Sequence, residues 1–179
     1  MVSSQFAGAL VALVACGVGT YTDIKNGIIP NWLTLPAVVI GLLLGFVANR
    51  WSGMGMALLS ALATAMVPII LFYMKAMGGG DVKLFAALGA LLGIDLSLQV
   101  LMASFMFGAL WGVGLWIVRG ELKQRLKNAF IKAVPLRWIG IRPQKAALSQ
   151  TYIRFGPAIL SGCLLTVALR VVEVVSYGG

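Results

Sequence analysis

Histidine is absent from this chain of 179 residues. Its absence removes the Ser-His-Asp triad, the Cys-His pair and the His-Glu-x-x-His zinc site at once. Charge is scarce as well: Asp, Glu, Lys and Arg make up 11% of the chain, against about 25% in a soluble domain. Only five residues are acidic, so carboxylate chemistry has few candidates. The two cysteines, Cys16 and Cys163, sit in different apolar stretches without C-x-x-C spacing. That argues against zinc or a redox pair and for small buried residues. The opening Met1-Val2-Ser3-Ser4 carries no Lys or Arg, so no cleaved signal peptide is expected.

What is present is apolar: 60% of the residues are hydrophobic. Six apolar segments run over 4–22, 33–49, 54–74, 82–94, 97–118 and 155–175. Most approach the roughly 20 residues that cross a hydrocarbon core of about 30 Å. The expectation is an all-α membrane protein, a bundle of six transmembrane helices forming one domain over 1–179. The fourth segment covers only about 20 Å at 1.5 Å per residue. It reads as a short helix, or one that starts below the membrane surface.

Basic residues set the expected orientation. With the N-terminus outside, Lys25, Lys75, Lys83 and the nine basic residues from Arg119 to Arg154 face the cytoplasm, leaving Arg50 and Arg170 outside. Twelve against two satisfies the positive-inside rule, and the opposite orientation inverts the ratio. Asp23 then follows the first crossing and Asp81 the third, so both lie on the cytoplasmic side. Asp95 and Glu173 fall toward the outer side. Glu121 stands beside Arg119, Lys123 and Arg125, where a solvated ion pair is the ordinary reading. Topology alone thus selects Asp23 and Asp81.

Each aspartate sits at a helix break. Asp23 precedes the Asn26-Gly27 turn signal and Pro30-Asn31. An interfacial charge flanking a connection explains it equally well. Asp81 follows Gly78-Gly79-Gly80. An N-cap role accounts for the carboxylate but not for three glycines, which permit close approach of another backbone. The macrodipole would favour an anion at Asp81, on a helix N-terminus, and a proton at Asp23, on a C-terminus, each by roughly 0.3–1 kcal/mol. Residues 119–154 carry nine basic residues and Glu121, with Leu122, Leu126, Phe130 and Ala133 at helical spacing. They read as a basic amphipathic cytoplasmic segment attracted to anionic lipid. Nucleic-acid binding is not expected, because no known module is present.

Gly78-Gly79-Gly80-Asp81 resembles the G-x-G-D motif of the type IV prepilin peptidases, polytopic aspartic proteases, and Val82-Lys83-Leu84 continues it. Asp23 with Ile29-Pro30-Asn31 is similar to the family's other catalytic aspartate and its surroundings. Phe155-Gly156-Pro157-Ala158-Ile159 is similar to its last-helix signature. The resemblance implies an aspartic endopeptidase of the bacterial inner membrane. It would cut prepilins or pseudopilins on the cytoplasmic face, between a short basic leader and an apolar helix. Asp23 and Asp81 would be catalytic, Gly78, Gly79, Gly80, Lys83, Pro30 and Asn31 would bind substrate or shape the site, and no metal or cofactor would be needed. The compact form without an N-terminal cysteine domain resembles the Flp/Tad-pilus type, which leaves N-methylation unexpected. Nothing in the sequence sets an oligomeric state.

Other classes fit less well. A small ion-coupled transporter or channel could use the aspartate pair as an ion site, but no inverted repeat is visible. A metal-dependent lipid-headgroup transferase would have only two usable carboxylates. A Ser-Lys peptidase lacks a serine near Lys75 or Lys83.

Overall fold

The computed structural model describes residues 2–118 and 155–177. All the regular structure in them is helical: α1 (Val2–Asn26), α2 (Asn31–Tyr73), α3 (Gly79–Val118) and α4 (Gly156–Tyr177). All four helices are long and apolar enough to cross a membrane. The all-α membrane class therefore holds. The expected count of six separate helices does not, because the junctions 49–54 and 94–97 contain no loop. Helical stretches abut there at short non-helical breaks: Asn49 and Arg50 in α2, Gly93 in α3.

Those breaks still redirect the chain. Within α2, a Cβ placed on Gly45 would lie 2.7 Å from the Gly53 carbonyl oxygen and 3.1 Å from the Ala57 Cβ. The Phe46 and Trp51 rings meet edge to face at 5.4 Å. In α3, the Phe85 and Phe105 rings lie 6.1 Å apart, although twenty residues of straight helix would separate them by about 30 Å. The chain turns back on itself at both places.

Residues 2–108 and 155–177 belong to one compact unit, and α3 from Ala109 onward falls in a second. At the centre of the first unit lies the opening part of α3. Leu84, Phe85, Ala87, Leu88, Ala90 and Leu91 are all buried, so most of this segment's surface is covered. Lipid tails are as apolar as leucine, so helices in a bilayer associate through close packing. Gly41 packs on Ala90, Gly89 on Ser60 and Ala61, and Gly162 on Ser104. The Thr64 and Ser97 hydroxyls add an inter-segment hydrogen bond of 2.7 Å. Cys16 of α1 and Cys163 of α4 are fully buried, as expected. The two side chains also lie near each other, a proximity that sequence spacing does not reveal. The basic segment 119–154, with Glu121, lies outside the described residues.

Candidate active site

Asp23 lies in the last turn of α1. The helix stops there because Gly27 adopts φ 69° and its N–H donates to the Asp23 carbonyl at 2.9 Å. This is a left-handed C-cap, which glycine fills without a Cβ penalty. The chain then runs extended through Pro30 (φ −75°, ψ 147°), the N-cap of α2, whose carbonyl accepts the N–H groups of Leu33 and Thr34. Pro30 and Asn31 thus shape the connection next to Asp23.

Asp81 is the third residue of α3, not its N-cap. Gly78 holds the cap position, its carbonyl accepting the Val82 N–H, and its backbone lies beside the Asp81 carboxylate. The carboxylate reaches back as the third helical residue of a capping box does. None of Gly78, Gly79 and Gly80 has a positive φ, so conformational freedom does not explain them. Close approach does. A Cβ on Gly79 would lie 3.2 Å from the Phe72 ring, and one on Gly80 2.9 Å from the Ile29 Cβ and 3.2 Å from the Ile29 nitrogen. A Cβ on Gly78 would lie 3.3 Å from Asp81 Oδ2. The neighbours that occupy the room at Gly79 and Gly80 are the chain's own Phe72 and Ile29.

Ile29 draws the two acids together. It is buried, touches the α-carbon side of Gly80, and lies with Leu84 beside Gly19 on α1. The end of α1 and the start of α3 therefore converge on it. Lys83 pins the same junction from outside, its ammonium donating to Asn31 Oδ1 at 2.8 Å. Asp23 and Asp81 are each only 8% exposed, and they lie within electrostatic reach of one another. Of the other acids, Asp95 is exposed and Glu173 pairs with Arg170 at 2.7 Å.

Two participants escape a reading of the sequence. Gly156, the first residue of α4, donates its N–H to Asp23 Oδ2 at 3.0 Å. Thr20, one turn before Asp23, donates its hydroxyl to the Gly156 carbonyl at 2.9 Å. The Phe155-Gly156-Pro157 stretch marks Gly156 without giving it a role at the site, and nothing in the sequence marks Thr20. This contact also corrects the dipole argument. Asp23 ends its own helix but faces the N-terminus of another, so helix ends favour an anion at both aspartates. The macrodipole therefore does not decide which acid holds a proton.

Two buried carboxyls within electrostatic reach of one another, one of them held by the Gly156 N–H, can share a proton, activate water and polarise a carbonyl. Among the described residues, no group of three or more His, Cys, Asp or Glu is placed to hold a metal ion.

A sequence profile described as the type IV leader peptidase family matches residues 10–113. The chain is 43% identical over 98 residues to the prepilin peptidase EppA of Methanothermobacter thermautotrophicus, an alignment covering 52% of this chain and 26% of that protein. It is 35% identical over 109 residues to the prepilin leader peptidase/N-methyltransferase of Aeromonas salmonicida, covering 57% of this chain and 37% of that one. The protein of the same name from Bacillus subtilis is 28% identical over 136 residues, covering 74% and 54%. The chain thus spans about a quarter to a half of the length of these relatives. No solved structure matches.

Proposed function

The chain belongs to the type IV leader peptidase family, and from that premise we propose that it is an aspartic endopeptidase removing the short basic leader of prepilins or pseudopilins. The observation that carries this reading is the burial of Asp23 and Asp81 at one junction of α1, α2 and α3. One carboxylate takes a proton from water as that water attacks the scissile carbonyl. The other, protonated, donates a hydrogen bond to the developing oxyanion. A coupled pair titrates jointly, so the proton belongs to the pair and not to either residue. Gly78, Gly79 and Gly80 shape the site by admitting Asp81, Phe72 and Ile29 at short range. Lys83, Pro30 and Asn31 hold the α1–α2 connection against α3.

The breaks at Arg50 and Gly93 support a six-crossing topology. A straight helix as long as α2, 43 residues, would extend about 65 Å, twice a hydrocarbon core. Six crossings with the N-terminus outside place both aspartates on the cytoplasmic side of the bacterial inner membrane, where prepilin leaders are exposed. The basic segment 119–154 is assigned to anionic lipid, since it would repel a basic leader.

Purified full-length protein in detergent, mixed with a substrate made of a short basic leader joined to an apolar helix, tests the reaction. Mass spectrometry should find a new N-terminus at the leader boundary. Intact substrate, together with cation flux in liposomes, would instead favour an ion-site reading of the same pair.

A further inference from the structure

Helical serine and threonine hydroxyls in this protein mostly bond within their own helix. Ser60, Thr64, Ser104 and Thr166 each donate to the carbonyl four residues back. Thr20 departs from that habit, its buried hydroxyl crossing to the Gly156 carbonyl of α4. The same residue's N–H bonds Asp23, three residues from Thr20 and on the same face of α1. Gly156 is thus gripped at both of its peptide groups by one face of one helix.

The first turn of α4 shows why this grip falls where it does. Pro157 has no N–H to give. Ala158 and Ile159 donate to the Phe155 carbonyl at 3.1 Å each. The Gly156 N–H is the donor left over at this end, and Asp23 takes it. A Cβ on Gly156 would come within 2.8 Å of Asp23 Oδ2 and 3.2 Å of the Thr20 Cα, so the grip closes only on glycine.

We infer that Thr20 is a positioning residue for the aspartyl reaction. It holds Gly156 by its carbonyl so that the Gly156 N–H fixes Oδ2 of Asp23 and sets the orientation of the carboxyl group. Thr20 touches neither substrate nor water in this role and acts through Gly156. The inference rests on the aspartic-peptidase reading above.

Thr20→Val keeps the shape and deletes the donor, and Thr20→Ser restores the donor. Leader cleavage, expressed per mole of monodisperse protein, should show kcat about tenfold lower in Thr20→Val, the size of one net hydrogen bond. KM should stay unchanged, and Thr20→Ser should recover to within about twofold of wild type. Equal kcat in wild type and Thr20→Val, or Thr20→Ser as impaired as Thr20→Val, overturns the role, as does a loss confined to KM. Thr20→Ala supplies the same comparison with Thr20→Ser should Thr20→Val not fold. An infrared readout separates failure of this inference from failure of the functional reading. The Asp23 carboxyl band, identified by difference against Asp23→Asn, should shift in Thr20→Val and return in Thr20→Ser even if wild type leaves the substrate intact. An unshifted band overturns the clamp itself.

Discussion

Asp23 works in a space that Gly156 leaves open. Gly156→Ala puts a methyl 2.8 Å from Asp23 Oδ2 and 3.2 Å from the Thr20 Cα, and neither the carboxylate nor backbone can yield without moving the clamp. Displacing a reacting group by about 1 Å can cost about a hundredfold in rate. Steady-state cleavage by Gly156→Ala should fall by that order while the protein still purifies as a single species. Thr34 makes the opposite case. Its hydroxyl is buried with no hydrogen-bond partner among the described residues, a cost of about 1–3 kcal/mol. Thr34→Val should therefore raise thermal stability in detergent by roughly 1 kcal/mol without loss of cleavage. At this scale the sequence is legible where charge meets apolar surroundings, as at Asp23 and Asp81. It is silent on Thr20, whose partner lies 136 residues away.

The helices end and bend where single residues accept unusual backbone angles. Gly93 has φ 76° and ψ 174°, a region open essentially to glycine alone. Arg50 has φ 50° and ψ −135° without that freedom. Gly93→Ala should destabilise by more than about 1 kcal/mol, and Arg50→Gly should stabilise by about 1 kcal/mol. Thermal unfolding of the two variants in one detergent reads both signs. The Asn26-Gly27 turn was legible because an αL C-cap has a residue signature. The breaks within α2 and α3 fall close to the segment boundaries read from hydropathy, but a reversal needs only one or two residues, so no connecting loop separates the helices there. Past Arg50, Gly53 serves close packing on Gly45. For the three glycines before Asp81, the sequence conveys that something approaches closely but not what. The approaching groups are Ile29 and Phe72. Gly80→Ala should weaken the α1–α3 junction and lower both melting temperature and cleavage.

Across the whole molecule, composition shows a membrane-embedded helical protein because 60% hydrophobic residues and 11% charge leave little else. The central place of the opening part of α3 comes from close packing on small residues such as Gly41, Ser60 and Ala61, since apolarity alone suits a lipid-facing surface equally well. The clamp on Asp23 depends on α4 returning to α1, which no local pattern encodes. The central claim is that Asp23 and Asp81 act as one unit. Single-turnover cleavage by Asp23→Asn, Asp81→Asn and the double variant tests it most directly, since residues acting together lose activity non-additively. Each single variant should fall to the same residual rate as the double one. Either single variant retaining substantial cleavage, or the double variant losing the product of the two single effects, would contradict it.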